Sequence, residues 1–82
     1  MKTELRQIPG VGPAMEEDLL AQGYTTIASL RGADPQQMYE RECLRKGYQV
    51  DRCVLYVFRC AVYYAQTEHP EADKLKWWNW KD

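Results

Sequence analysis

The sequence predicts an all-α protein, a compact single domain of about five helices over residues 1–82. Three observations predict it. Capping residues stand ahead of helix starts at Thr3, at Asp34 before Pro35 and at Asp51, and Gly23, Gly32 and Gly47 stand where helices stop. Pro9-Gly10-Val11-Gly12-Pro13 ends one short helix and begins another. Residues 52–68 repeat apolar side chains at helical period, over more residues than a strand usually runs.

Thr3 caps a first helix over Glu4 to Gln7, which must end at Pro9 because proline holds Ile8 in extended geometry. Gly10 and Gly12 bracket Val11, so the loop reaches backbone conformations closed to other residues, and Pro13 suits the first position of a helix running to about Gln22. Met15, Leu19 and Leu20 supply its apolar side. Glu16, Glu17 and Asp18 lie in its opening turns, where the helix dipole favours negative charge.

Thr25 to Leu30 reads as a short third helix ending at Gly32, and Asp34-Pro35 opens a fourth that carries Met38, Cys43 and Leu44 toward Lys46. Asp51 opens the fifth and longest, Arg52 to about Glu68, ahead of Pro70. At about 100° per residue, Arg52, Tyr56, Arg59, Tyr63 and Gln66 collect into one stripe, while the remainder, Cys53, Val54 and Tyr64 included, is apolar. A helix so widely apolar is expected to be surrounded by the others. Residues 70–82 form a tail holding all three tryptophans, Trp77, Trp78 and Trp80. It is expected to pack on the core as a hydrophobic lid. Left open, the same three rings would be an interaction surface.

A chain of 82 residues supports one core. No run approaches the roughly 18 apolar residues of a membrane span, and the opening residues lack the apolar centre of a signal peptide, so a cytoplasmic protein with no membrane partner is expected. The three cysteines, Cys43, Cys53 and Cys60, form no Cys-x-x-Cys pair and are expected as free thiols. With one histidine, His69, they have no metal-site spacing, and neither a metal nor another cofactor is expected. The one serine, Ser29, sits in no catalytic motif, which points to a binding module rather than an enzyme. Charge is uneven: residues 1–40 carry −3 and residues 41–60 carry +3. A polyanion would be drawn to Arg41, Arg45, Lys46, Arg52 and Arg59.

The string Leu5-x-x-Ile8-Pro9-Gly10-Val11-Gly12-Pro13, with Leu19 and Gly23 downstream, resembles the helix-hairpin-helix motif of DNA repair and recombination proteins. The resemblance implies a SAM-like bundle in which backbone amides of Gly10, Val11, Gly12, Ala14 and Met15 approach a phosphate without regard to base. Related helix-hairpin-helix loops can hold a monovalent cation on backbone carbonyls, which here would be those of Arg6, Ile8 and Val11. The whole chain is similar to the small pathogenicity-locus family of helix-hairpin-helix proteins, through residues 5–13, 30–35, 51–65 and 75–82. Its layout is similar to the C-terminal domain of the TfoX competence regulators. For the pathogenicity-locus family the resemblance implies a bacterial protein with this fold and a DNA role, and no established activity.

Two functions stay open on the residues. One is weak DNA binding without sequence preference, through the hairpin amides and the basic residues Arg41, Arg45, Lys46, Arg52 and Arg59. The other is a protein-interaction or self-association module that has lost the phosphate site and uses Tyr56, Tyr63, Trp77, Trp78 and Trp80. Glu16, Glu17 and Asp18 favour the second, since they are expected to crowd a phosphate at the loop, each repulsion being on the order of 1 kcal/mol. The Arg52, Tyr56, Arg59, Tyr63 stripe interleaves cations with aromatics, as surfaces that track a nucleic-acid strand do. The same stripe also fits the border of a buried helix, with apolar stems on the core and polar tips in water.

Overall fold

The helix signals become three α-helices, α1 (Pro13–Ala21), α2 (Pro35–Lys46) and α3 (Arg52–Gln66), together with four 3-10 turns, Glu4–Gln7, Ala28–Leu30, Ala72–Leu75 and Trp77–Trp80. The computed structural model describes residues 3–81, and no strand occurs among the described residues. Met1, Lys2 and Asp82, at the ends of the expected domain, lie outside them. The expectation of five helices is corrected in two places. Residues 4–7 are cut off by Pro9, and of the segment 25–30 only Ala28–Leu30 coils, so both close as single 3-10 turns. Segments this short cannot offset the cost of nucleating an α-helix.

Caps set the ends that the sequence specified locally. Thr3 Oγ1 accepts from the Leu5 amide at 3.2 Å, Asp34 Oδ1 from Gln36 at 2.9 Å and Asp51 Oδ1 from Cys53 at 2.8 Å. At the other end of α1, the Gly23 amide donates to Leu20 and the Tyr24 amide to Leu19, both at 3.0 Å, which is the Schellman arrangement that satisfies carbonyls the helix leaves over.

α3 stops at Gln66, short of the expected Glu68, for a tertiary reason. Arg31 Nε donates to the Ala65 carbonyl at 3.0 Å, and the Gln66 side-chain oxygen accepts from the Gly32 amide at 3.2 Å. The chain then leaves in extended geometry at Thr67. A turn more than thirty residues away thus takes the carbonyl that another helical turn would have used.

α3 is the central element, packed against α2, the Ala28–Leu30 turn and both turns of the tail. Leu55, Phe58 and Ala61 on it are fully buried and meet Leu5, Leu19 and Met38 in one cluster. Burial of a side chain such as Phe58 contributes about 1.5–3 kcal/mol. Across α2, the Tyr39 hydroxyl donates to the Val50 carbonyl and ties that helix to the approach of α3. The apolar face of α3 is narrower than expected: Cys53 is exposed, and Val54 and Tyr64 are half-buried. Residues 51–53 all face solvent.

Candidate functional site

The loop between the first 3-10 turn and α1 is a tight turn. Ile8 is extended ahead of Pro9, Gly10 has φ 88°, and the Val11 amide donates to the Ile8 carbonyl at 3.0 Å. Proline second and a left-handed glycine third are what a type II turn requires. Gly12 differs from the expectation that both glycines serve the backbone. Its φ of −96° is open to any residue, and a Cβ there would meet nothing within 4 Å. Gly12 is instead the N-cap of α1, and it brings no side chain to do the capping.

Helix geometry leaves the first amides of α1 without carbonyl partners, and Pro13 has none. Those of Gly12, Ala14 and Met15 therefore have no carbonyl partner within the helix, while the Glu16 amide bonds back to the Gly12 carbonyl at 2.9 Å. Of the other two expected amides, that of Val11 closes the turn on the Ile8 carbonyl, and Gly10 lies beside Trp77.

Two of the three carboxylates expected to crowd this mouth are turned into the protein. Glu16 is 2% exposed. Its Oε2 accepts from the Thr3 amide at 2.5 Å and the Thr3 hydroxyl at 2.7 Å, and its Oε1 from Arg6 Nε at 3.0 Å. The Thr3 hydroxyl first, with the Thr3 amide and Arg6 adding to it, outweighs burial and holds the Glu16 carboxyl at about 2. Glu17 alone of the three faces solvent.

Asp18 joins a second cluster between α1 and α2. Arg45 Nη2 lies 2.7 Å from Asp18 and 2.9 Å from the fully buried Glu42, and Lys46 Nζ lies 3.7 Å and 3.6 Å from the same two carboxylates. Gln22 adds its amide, donating to the Met38 carbonyl at 3.0 Å and to Glu42 at 3.4 Å. Burial and the neighbouring Glu42 raise the Asp18 carboxyl above its ordinary value. Burial acts the same way on Glu42, but hydrogen bonds led by that of Arg45 overcome it and lower the group.

To the basic residues 41–60 the fold brings one carboxylate from elsewhere in the chain, Asp18, and several neutral partners. Arg45 and Lys46 face Asp18 and Glu42, Arg41 Nη1 donates to the Tyr24 hydroxyl at 3.4 Å, and Arg52 lies over the Tyr39 ring at 5.6 Å. Arg59 lies over Tyr56 at 5.7 Å and donates to the Trp80 carbonyl at 2.7 Å. Reading the sequence missed Asp18 and Glu42 as partners. The spacing of Glu42 to Arg45 and Lys46 is a legible helix pairing, whereas Asp18 to Arg45 spans 27 positions.

The aromatic candidates divide. Tyr63 meets Trp80 at 5.4 Å between ring centroids, Tyr56 packs on the core, and Trp77 lies against Gly10. Trp78 is 48% exposed. Two exposed side chains that the sequence did not mark, Leu44 at 83% and Tyr48 at 62%, border a cavity of about 550 Å³ lined also by Tyr39, Cys43 and Gly47.

These features define a small all-helical domain built on a tight proline-glycine loop that delivers the chain into an uncapped helix. The chain belongs to the Cdd1 family, described as pathogenicity locus, whose profile matches residues 1–82. No curated protein matches it, and no solved structure does. No helix among the described residues is long and apolar enough to cross a membrane.

Proposed function

We propose that this protein is a small nucleic-acid-binding module, in which the Glu4–Gln7 turn, the loop and α1 act as a helix-hairpin-helix that holds phosphate without reading bases. What supports it is the start of α1: a glycine N-cap that makes no side-chain capping bond, ahead of the Ala14 and Met15 amides that the helix itself leaves without carbonyl partners. Amides at a helix start, together with the positive end of its dipole, suit an anion. Glu16 carries less repulsion to a phosphate than its place in the sequence suggested, because Arg6 and Thr3 already hold it. Arg45 and Lys46 drop to a minor part in this proposal, since Asp18 and Glu42 face them.

The test is fluorescence anisotropy of a short labelled DNA duplex at low ionic strength, with Gly12→Asp beside the parent. Binding that falls steeply with salt and is lost in Gly12→Asp is the expected result. The aspartate side chain accepts from the Ala14 and Met15 amides and places a negative charge where phosphate would sit. A parent that leaves the duplex unbound, or a Gly12→Asp variant that binds as well as the parent, overturns the proposal.

One observation favours a second proposal, self-association. Leu44, projecting, and the cavity beside it lie on the same patch, with the single charged lining residue Glu40. A patch that carries both knob and hole is self-complementary, as a two-fold dimer contact must be. Light scattering on the parent and on Leu44→Glu tests it. A parent that is monomeric at high concentration removes it.

A further inference from the structure

Residues 72–80 pack along α3 and also reach the loop of residues 8–12. Neither 3-10 turn of this segment contains a fully buried residue. Trp77 packs against the core. Its ring also takes the space a side chain at position 10 would need, since a Cβ on Gly10 would stand 3.1 Å from Trp77 Cδ1. Beneath this contact lies Cys60, fully buried, with Sγ 3.6 Å from the Lys74 carbonyl and 3.9 Å from the Pro9 carbonyl. A single thiol therefore touches both the segment and the loop.

The other anchors sit at the rim. Arg59 donates to the Trp80 carbonyl at 2.7 Å, the Tyr63 hydroxyl accepts from the Glu71 amide at 3.0 Å, and the Tyr63 and Trp80 rings meet. Trp80 Nε1 and Asn79 Nδ2 bond inside the segment, to the Lys74 and Asp73 carbonyls. A segment of two short 3-10 turns near the end of the chain, with no fully buried residue, opens at lower free energy than the core it covers. Here one opening withdraws Trp77 from Gly10 and Lys74 from Cys60 together.

We propose that residues 72–80 are a strap whose docking holds the 8–12 loop in shape, and that its release loosens the loop and uncovers Cys60 while α1, α2 and α3 stay folded. This stands without the nucleic-acid proposal. Where that proposal also holds, the strap governs the geometry that presents the α1 amides.

Timed alkylation mapped by mass spectrometry, combined with amide hydrogen exchange, tests it on the full chain. Cys53, exposed, is the internal reference for reagent. In the parent, Cys60 is expected to react faster than the slowest core amides of α3 exchange, which report global unfolding. Trp77→Ala is expected to raise Cys60 labelling and Val11 amide exchange severalfold together. The Gly47 amide, bonded to Cys43 at the end of α2, is expected to stay unchanged. Tyr63→Phe removes only the hydroxyl that receives the Glu71 amide, and a smaller change in the same direction is expected even if Trp77→Ala fails to fold. The proposal is overturned if Cys60 reacts only at the rate of global unfolding. It is equally overturned if a folded Trp77→Ala, or Tyr63→Phe where that variant does not fold, frees Cys60 without freeing Val11, or if Gly47 rises with them.

Discussion

Arg6 Nε lies 3.0 Å from Glu16 Oε1, so an ion pair joins the turn before the loop to the helix after it. With Thr3 on its other oxygen, Glu16 is the polar clasp of the hairpin, and its charge is worth most when the protein is folded.

The first prediction concerns acid. The Glu16 carboxyl is lowered from 4.5 to about 2, so protonation favours the unfolded chain. The stability it contributes is complete above its unfolded value near 4.5 and is lost as pH falls from there toward about 2. Asp18, raised, has the opposite slope, so the comparison must be made with Glu16→Gln rather than with pH alone. Thermal unfolding followed by circular dichroism should show a midpoint several degrees lower for Glu16→Gln at neutral pH, converging on the parent near pH 2. Parallel curves for the two proteins would contradict this.

The two loop glycines should behave unlike one another. Gly10→Ala forces a side chain into left-handed backbone beside Trp77 and should cost about 1–2 kcal/mol. Gly12→Asp meets open space and supplies a cap, so it should stabilise α1 by a few tenths of a kcal/mol. Urea unfolding of both variants measures the difference.

Arg45 and Arg41 should also separate, although both are exposed arginines on α2. Arg45→Ala leaves Asp18 and Glu42 side by side with Lys46 as their one remaining ionic partner among the described residues, and should lower Tm by on the order of 5 °C. Arg41→Ala loses one long hydrogen bond to Tyr24 and should leave Tm nearly unchanged. Equal shifts would show that the α1–α2 ionic cluster is structurally idle.

Leu44→Glu should not destabilise the monomer, because the leucine is 83% exposed. Its effect should be confined to the concentration dependence of Tm and of light scattering. A midpoint that rises with concentration in the parent, and is flat in the variant, is the expected pair of results.

Local chemistry was the legible part of this fold. Thr3, Asp34 and Asp51 each cap the helical segment they precede, and Pro9 with Gly10 makes the turn, because each acts over two or three residues. The uncapped start of α1 comes from Gly12 and Pro13 by the same short-range logic. The charge pattern was the illegible part. Asp18 lies 27 positions before Arg45, and only folding sets it 2.7 Å away, where it lowers the positive balance of residues 41–60 by one. Glu16, in its turn, read as a barrier to phosphate until Thr3 and Arg6 were seen to hold it.

By itself, the sequence determined the helical class, the turn at Pro9-Gly10 and the starts of the three α-helices, since backbone preference and capping depend on near neighbours. Tertiary structure alone decided which charges remain available, where α3 ends and how Trp77 bears on Gly10. Those depend on groups brought together from distant parts of the chain, whose hydrogen bonds and burial exist only once the helices have packed.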